Sequence, residues 1–256
     1  MRTVAIVQAR MGSNRLPGKV LMPIMGKPML WHVMHRVRAV PSIEEVVVAV
    51  PDGQADEVLR QFCAANNIAS FSGSELDVLD RYYHAAQVYR ADPVLRITAD
   101  CPLVDPEFIE RLIALYQSGS YDYAAVAAGA DAHNLDGDCF PDGMDAECFS
   151  FASLQRAWKE AQDPRDREHA TRFIWRRKGL FRCTKLLADR KYPPLRLTVD
   201  HPQDLAVATR IYEKLFCDGN IFHLADVVDL LEREPEIIKA NEHLVEGQHY
   251  KAVLEE

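Results

Sequence analysis

The chain has 256 residues, of which 27% are charged and 48% hydrophobic, and its formal net charge is -8. These are ordinary values for a folded globular protein, and the sequence contains no low-complexity tract or fixed-period repeat. The negative charge argues against a nucleic-acid-binding surface, because such a surface needs clustered cations to displace counterions from phosphates. We therefore expect a small-molecule ligand and no nucleic-acid partner.

Neither the N-terminus nor any other segment has the pattern of a membrane-directed sequence. The opening MRTVAIVQAR has four consecutive apolar residues before a Gln and an Arg, too few for a signal-peptide core. No apolar run reaches the length that a membrane helix needs. We therefore expect a cytoplasmic protein without a membrane partner. The six cysteines include no CxxC pair and no finger-type histidine spacing, so we interpret them as reduced, structural residues.

The first hundred residues alternate short β-like runs with helical patterns. In chain order these are TVAIVQ, PMLWHVMHRVRAV, EEVVVAV, ADEVLRQFCAAN, VLDRYYHAAQVY and VLRITA. This alternation is typical of βαβ units and predicts an α/β fold with a largely parallel sheet and helices on both faces. The next segment, PEFIERLIALYQSG, predicts a further helix, with Pro106 suited to its first turn and Gly119 to its end.

The pattern weakens over residues 129–145, a polar stretch that predicts a long loop of the kind that is often functional. Two helical segments follow, FASLQRAWKEAQ and DREHATRFIWRRKG, and then two strand-like runs, RCTKLL and LRLTV. A helix beginning at Pro202 and a last amphipathic helix, HLADVVDLLEREPEII, end the pattern. No linker stands out, so we expect a single domain over residues 1–256, with an inserted subregion at about 130–190.

The loop after the first predicted strand, ARMGSNRLPGKV, contains glycines and a lysine but is not a Walker loop. Gly12 and Gly18 are separated by five residues instead of four, and Val20 stands where Ser or Thr would reach a metal ion. The GxGxxG pattern of a dinucleotide-binding fold is also absent. The Pro17-Gly18 turn forbids a simple helix here.

This loop nevertheless carries three cations and a hydroxyl, on Arg10, Ser13, Arg15 and Lys19. Ligands of α/β sheets bind beyond the carboxyl ends of the strands, where this loop lies. Because the cations repel one another unless an anion lies among them, we predict a phosphate site, and a triphosphate fits it well. The alternative is a solvated loop whose charges pair with scattered carboxylates.

Two aspartates end strand-like runs: Asp100 in RITADCPLVDP and Asp200 in RLTVDHPQDL. Carboxylates at strand ends are well placed for Mg2+, which prefers oxygen ligands and is often shared with substrate phosphates. We predict that this pair of strand-end carboxylates binds one metal ion. The alternative for each aspartate is a helix N-cap, and Asp105 and Asp204 fit that role better.

These motifs give the chain a family resemblance. ARMGSNRLPGKVL resembles the RxxSxRLPGK loop of the CMP-KDO synthetases, which use CTP to activate 3-deoxy-manno-octulosonate. With GKPMLWHVMHRV, SGSELDVLDRYYHAA, RITADCPLVDP, FPDGMDAECFSFASLQRAWKEA and DREHATRF, the chain is more similar still to the cytidylyltransferase-like spore coat polysaccharide biosynthesis protein F family. The resemblance extends from residue 3 to about residue 210.

The resemblance implies a nucleotide-diphosphosugar transferase (GT-A-like) fold, a Rossmann-like three-layer sandwich with a mixed, mostly parallel sheet. It also implies a Mg2+-dependent cytidylyl transfer from CTP to an acidic sugar for surface polysaccharide biosynthesis, and a homodimer is compatible with it. By the same likeness the loop cations match the triphosphate loop, and Asp100 and Asp200 match the metal-binding carboxylates. Asp77 and Arg81 match positions that approach the base or ribose. The middle third departs from the KDO enzymes, which leaves the acceptor open.

The acceptor side offers two polar segments, PDGMDAE and DREHATR. Their candidate acceptor-binding residues are Asp142, Asp145, Glu147, Arg167, Glu168 and His169. Such groups can hydrogen-bond sugar hydroxyls, and the arginine can bind a carboxylate. The alternative for the second segment is a helix with solvated charges and a packing histidine. We assign no partner to His32, His35, His84 or His133.

In the mechanism that we expect, a sugar hydroxyl attacks the α-phosphorus of CTP and expels pyrophosphate. Arg10 and Lys19 would stabilise the developing charge, and Arg15 and Ser13 would hold the β and γ phosphates. Mg2+ on the two aspartates would polarise the α-phosphate. Two alternatives stay open: a nucleotidyltransferase that acts on a sugar 1-phosphate or another phosphorylated acceptor, and a non-catalytic nucleotide-binding subunit.

Overall fold

The structure, a computed structural model, describes residues 2–128, 139–177 and 179–246. His133 and most of the predicted loop at 129–145 lie outside the described residues. The strands are β1 (Val4–Gln8), β2 (Pro23–Ile24), β3 (Lys27–Pro28), β4 (Glu45–Pro51), β5 (Ser70–Gly73), β6 (Val94–Thr98), β7 (Tyr123–Val126), β8 (Glu147–Phe149) and β9 (Cys183–Leu186).

The helices surround this sheet in chain order. They are α1 (Met29–Arg38), α2 (Glu57–Ala65), α3 (Val78–Tyr89), α4 (Pro106–Ser118), α5 (Phe151–Glu160), α6 (Pro164–Glu168), α7 (Arg172–Arg176), α8 (Pro202–Leu215), α9 (Leu224–Arg233) and α10 (Glu242–Glu246). Short 3-10 helices cover Lys19–Leu21, Gln54–Asp56 and Pro235–Ala240. Within the described ranges, no helix is both long enough and apolar enough to span a membrane.

Seven strands form one mixed sheet in the order β5-β4-β1-β6-β8-β7-β9. Every neighbouring pair is parallel except the two pairs that contain β8, which runs antiparallel to β6 and to β7. The central strands β4, β1 and β6 are nearly continuous apolar runs, as expected of parallel strands that are buried on both faces. The predicted α/β class with a mixed, mostly parallel sheet is confirmed.

Hydrophobic residues pack on both faces of the sheet and give it three layers. In β1, Ala5 and Val7 lie in one core, whereas Val4 and Ile6 lie in the other, because alternate strand residues face opposite sides. The first core is completed by α1, α2, α4, α8 and α9, and the second by α3, α5 and α7. Both faces of the sheet are therefore covered, so we expect a ligand site beyond the carboxyl ends of its strands.

Two predictions about the second half of the chain were wrong in detail. LRLTV is not a strand of the sheet: residues 195–199 pair instead with two loops, through Leu197 N to Asp142 O at 2.8 Å and Val199 N to Asp100 O at 2.8 Å. The segment DREHATRFIWRRKG forms two short helices, α6 and α7, because Ala170 between them has φ 44.

Three sheet strands were not predicted. β5, β7 and β8 have only three or four residues each, and β7 and β8 have no alternation of apolar and polar residues. Strands this short are ordered by their neighbours and not by their own pattern. In the subregion at 130–190, β8 and β9 pair within the main sheet, and the acceptor-side role of that subregion stays a prediction.

Candidate active site

The loop that follows β1 is held in place by its own backbone. Gly18 has φ 72 and donates its N–H to the carbonyl of Met11 at 2.9 Å, which closes the loop before the 3-10 helix at Lys19–Leu21. Met11 N donates to Asp56 Oδ1 at 2.6 Å, and Ser13 Oγ accepts from Leu16 N at 3.3 Å. The predicted cations therefore project from a fixed loop at the carboxyl end of β1.

Lys19 is at the centre of the site. Its Nζ donates to Asp100 Oδ2 at 2.9 Å, Asp200 Oδ1 at 2.9 Å and the carbonyl oxygen of Val199 at 2.8 Å. The side chain is 9% exposed, so the charge is largely removed from water. Although burial alone would lower the pKa of the ammonium, Asp100 and Asp200 raise the pKa of Lys19 above its usual value. The sequence did not predict this contact, because Lys19, Asp100 and Asp200 are far apart in the chain.

Asp200 has two further cationic partners. Its Oδ2 lies 2.9 Å from Arg15 Nη2 and 2.9 Å from Arg196 Nη2. Arg196 is buried and also contacts Asp142 and Asp204, both at 3.1 Å. Although burial opposes ionisation, the surrounding cations, led by Lys19, hold the pKa of Asp200 below its usual value. Asp200 is therefore an anion near neutral pH.

The extended segment that ends at Asp200 packs against the loop around Gly143. Gly143 has φ 99, and a Cβ atom there would lie 2.6 Å from the backbone of Leu197 and of Thr198. Only glycine allows this close approach of two backbones. The segment thereby brings Asp200 beside Asp100, although it is not a strand of the sheet.

A cleft of about 470 Å³ opens at this end of the sheet. The predicted residues that line it are Arg10, Ser13, Arg15, Lys19, Arg81, Asp100, Glu168, His169 and Asp200. All of the predicted phosphate and metal residues thus share one cavity with two of the candidate acceptor residues. Gln8, Arg96 and Thr98 line the same cleft and were not predicted.

Five predicted residues are not among those that line the cleft: Asp77, Asp142, Asp145, Glu147 and Arg167. Asp77 caps α3 by accepting from Asp80 N at 2.9 Å, and Arg167 Nε donates to Asp77 Oδ2 at 2.5 Å. Arg167 also donates to the carbonyl oxygens of Trp158 and Ala161. This guanidinium is occupied by structural contacts between α3, α5 and α6.

Glu147 lies in a buried network behind the cleft. Its carboxylate accepts from Arg96 Nη1, from the Tyr123 hydroxyl and from Thr171 Oγ1, the last at 2.9 Å. Although burial opposes a charged arginine, Glu147 raises the pKa of Arg96. The network joins β6, β7 and β8 to the turn after His169, so Glu147 supports the cleft from behind.

Asp145 lies in an unusual electrostatic environment. Its Oδ2 accepts from Gly143 N at 3.0 Å, but burial and the nearby Asp142 carboxylate raise the pKa of Asp145 to about 7. Arg81, which lines the cleft, is also buried, and its Nε has no hydrogen-bond partner among the described residues. Arg81 is therefore a candidate for contact with a bound ligand, whereas Asp145 does not line the cleft.

Sequence analysis missed the residues that position Asp200. Asp204 accepts from Asp200 N at 3.0 Å and from Arg196 Nε at 3.1 Å, so it supports both the backbone of Asp200 and the guanidinium of Arg196. The run LRLTVD contains a usable signal, because Arg196, Thr198 and Asp200 alternate with apolar residues and therefore share a face. The predicted N-cap role of Asp204 was wrong: His201 is the N-cap of α8, and Asp204 is the third residue of the helix, where its carboxylate accepts from His201 N at 2.9 Å.

The chemistry of the site suits a divalent metal only in part. Across 2–128, 139–177 and 179–246, no group of three or more His, Cys, Asp or Glu side chains could hold a metal ion by itself. Asp100 and Asp200 converge on one point, however, and two carboxylates completed by phosphate oxygens are a usual Mg2+ environment. The donor set fits a metal that is shared with a phosphate ligand.

Comparison with known proteins supports the resemblance that the sequence motifs indicated. The model of a family described as Cytidylyltransferase matches residues 4–225. Spore coat polysaccharide biosynthesis protein SpsF of Bacillus subtilis is 29% identical over 238 residues, which are 90% of this chain and 94% of that protein. The 3-deoxy-manno-octulosonate cytidylyltransferase 2 of Hydrogenovibrio crunogenus is 37% identical over 125 residues, 48% of this chain and 50% of that protein.

A solved structure agrees with these matches. A cytidylyltransferase from Leptospira borgpetersenii has a TM-score of 0.82 and 26% identity, with 93% of this chain and 97% of that chain covered. The similarity therefore extends over almost the whole of both folds.

Proposed function

The chain belongs to the cytidylyltransferase family and is therefore a nucleotidyltransferase, and we propose that it uses CTP and Mg2+ to activate an acidic sugar. The products would be a CMP-sugar and pyrophosphate. The observation that carries this proposal is the convergence of Lys19, Asp100 and Asp200 at the cleft that Arg10 and Arg15 also line. Cations beside paired carboxylates are what a metal-bound triphosphate requires.

The loop after β1 would bind the triphosphate. Arg10 is exposed and Arg15 is 56% exposed on its side chain, so both can reach phosphate oxygens without leaving the loop. Arginine can donate two parallel hydrogen bonds to a phosphate, which fixes its orientation. We assign the β and γ phosphates to Arg15 and Ser13, and the charge that develops during transfer to Arg10 and Lys19.

Asp100 and Asp200 would hold Mg2+. When it is bound, the metal would polarise the α-phosphate and neutralise charge on the transferring group. Arg196 and Asp204 position Asp200 for this role. Arg196 donates to its carboxylate, and Asp204 accepts from its backbone N–H. The protein's own part in the transfer is mainly to position and neutralise charged groups.

The acceptor would bind beside Glu168 and His169, which are exposed and line the cleft. The names of two relatives, a spore coat polysaccharide protein and a 3-deoxy-manno-octulosonate cytidylyltransferase, support a sugar acid of surface polysaccharides. We further propose that Asp77 and Arg81 act at the base or ribose end, with Asp77 acting through α3. A homodimer stays a prediction, to be tested by sedimentation.

A thermal shift with CTP, UTP, ATP and GTP, each with Mg2+, tests the nucleotide assignment. A ligand at about 100 times its Kd adds about 2.7 kcal/mol of stability, which corresponds to a Tm rise of about 5 °C or more in a chain of this size. We expect this rise with CTP alone. A larger rise with another nucleotide would contradict the proposal.

Pyrophosphate release then tests the acceptor, with a 2-keto-3-deoxy sugar acid compared with a sugar 1-phosphate. We expect pyrophosphate release only with the sugar acid. Release with the sugar 1-phosphate instead would favour the alternative acceptor class.

A substitution in the loop tests the triphosphate assignment. Arg10→Met should weaken CTP binding about tenfold or more, because it removes a charge-assisted contact. Arg210→Met is the matched control, because Arg210 is exposed and pairs only with Glu213 on α8 among the described residues.

A further inference from the structure

The position of the Lys19 ammonium has a consequence for metal binding. It lies 2.9 Å from one oxygen of Asp100 and 2.9 Å from one oxygen of Asp200, so a single cation already bridges both carboxylates. A Mg2+ ion would contact the same oxygens at about 2.0–2.1 Å. An ammonium and a divalent ion on the same two oxygens would lie within about 5 Å of each other and repel strongly.

The surroundings of Asp200 add to the repulsion between the Lys19 ammonium and a divalent ion. Its other oxygen is already shared by Arg15 and Arg196, each at 2.9 Å, so Asp200 has three cationic neighbours before any metal arrives. Arg196 is also paired with Asp142 and Asp204, so Lys19 and Arg15 are the cations that compete most directly with a metal ion for Asp200. The carboxylates become available only when a cation leaves, and Lys19 is the one that contacts both of them.

The cleft offers the Lys19 ammonium a second position. Its backbone is fixed at the start of the 3-10 helix Lys19–Leu21, but its ammonium is carried on a flexible four-carbon chain. The side chain lines the same cleft as Arg10, Ser13 and Arg15, where the phosphates of a nucleotide would lie. A phosphate group could accept the ammonium as the two carboxylates release it.

We propose that Lys19 is a resident cation of the nucleotide-free enzyme that excludes the divalent metal from Asp100 and Asp200 until a nucleotide binds. This inference rests on the proposed function, since it takes the nucleotide phosphates as the second site of the ammonium. Metal and nucleotide then bind cooperatively: each favours the state in which Lys19 contacts phosphate. The free enzyme binds metal weakly, although both carboxylates line the cleft.

The test measures Mn2+ binding to the full-length protein without nucleotide, by electron paramagnetic resonance of free Mn2+. Lys19→Met removes the bridging cation, and we expect it to bind Mn2+ roughly tenfold or more tightly than the wild type, within the usual range of coupling between sites. Adding Asp100→Asn to this variant should abolish the gain, which places the bound ion on these carboxylates.

Arg15→Met is the matched control, because it removes one positive charge beside Asp200 without removing the bridge to Asp100. We expect a gain in Mn2+ affinity of less than about threefold for this variant, as Arg15 is mostly exposed and its charge is screened. Equal gains for both variants would show that net charge alone controls binding and would overturn the proposal. So would an unchanged Mn2+ affinity in Lys19→Met.

Lys19→Gln provides a second variant if the methionine variant does not fold. Its amide can still hydrogen-bond to the Val199 carbonyl or a carboxylate, but it carries no charge, so it should also bind Mn2+ more tightly. A thermal shift of the wild type with CTP and Mg2+ is measured separately. Absence of that shift counts against the proposed function, whereas a normal shift with unchanged Mn2+ binding in both Lys19 variants counts only against the role of Lys19.

Discussion

Two clusters of acidic and basic side chains differ in what they can do. In the first, the Lys19 cluster (Lys19, Asp100, Asp200 and Arg196), all but Arg196 line the cleft. In the second, the Asp166 cluster (Asp166, Arg172 and Arg177), Asp166 is 1% exposed and accepts from Arg172 Nη1 at 2.5 Å and Arg177 Nη1 at 3.1 Å. None of the second set lines the cleft.

The comparison teaches that residue type does not separate a functional cluster from a structural one. Both clusters pair carboxylates with cations, and the predicted motif DREHATR contributes Asp166 and Arg172 to the second. In the second cluster, Asp166 is enclosed and its partners hold α6 against α7. In the first, two carboxylates lie at the carboxyl edge of the sheet, where α/β proteins bind ligands.

The largest expected effect comes from the Lys19 cluster. Asp100→Asn should lower turnover roughly a thousandfold, because it removes one of two candidate metal ligands and one charge from the reacting site. The amide keeps an acceptor for Lys19, so we expect a Tm within a few degrees of the wild type. Steady-state pyrophosphate release measures the turnover, and a thermal melt measures the Tm. Turnover within about threefold of the wild type would refute the metal assignment.

The opposite result is expected in the Asp166 cluster. Asp166→Asn should lower the free energy of unfolding by about 3 kcal/mol, while turnover of the folded protein stays within about twofold. The substitution removes the nearer of two carboxylates that pair with the buried Arg172, the other being Asp163 at 3.5 Å. Urea denaturation measures the free energy of unfolding. Glu160→Gln is the control, since Glu160 is exposed and pairs with Arg156 on the surface, and should cost less than about 0.5 kcal/mol. A thousandfold loss of turnover in Asp166→Asn would show that the Asp166 cluster also acts in the reaction, which contradicts a purely structural role.

The next effect should appear in the pH dependence of stability. Since the pKa of Asp145 is raised to about 7, the folded protein retains a proton that the unfolded chain loses near pH 4. The native state therefore binds more protons between about pH 4 and pH 7, and stability falls as the pH rises through that window. Asp145→Asn should remove this loss, which is on the order of 4 kcal/mol over the whole window.

Denaturation of the wild type and of Asp145→Asn at pH 5 and pH 8 measures this difference. The free energy of unfolding of the variant should rise relative to that of the wild type as the pH rises. The asparagine can still accept a hydrogen bond from Gly143 N. Parallel pH profiles for the two proteins would mean that Asp145 is ionised in the folded state.

The smallest effect concerns the acceptor side of the cleft. His169→Ala should leave the Tm within about 1 °C, because the side chain is exposed, and should raise the acceptor KM about three- to tenfold through loss of one hydrogen bond. His243→Ala, an exposed histidine of α10 that does not line the cleft, serves as control. A rise in the KM for CTP with no change for the acceptor would assign His169 to the nucleotide instead.

Much of the fold was predictable because its signals are local. Apolar runs and helical periodicity predicted β1, β4 and β6 and most helices, and α3 begins and ends where its sequence pattern does. β8 could not be predicted, since its three residues become a strand only by pairing with β6 and β7. The segment 195–199 has a strand pattern but pairs with the loops that contain Asp100 and Asp142, a contact between distant segments that no local pattern indicates.

For the site, the sequence by itself determined the ingredients: a cationic loop after the first strand, two aspartates that follow extended runs, and a family pattern that joins them. Only the tertiary structure decided their arrangement, because Lys19, Asp100 and Asp200 are far apart in sequence and meet through a backbone approach that Gly143 permits. The tertiary structure also assigned Arg167 to Asp77 and left His169 facing the cleft. Periodicity shows which face a side chain shares, but contacts between distant segments depend on how the whole chain packs.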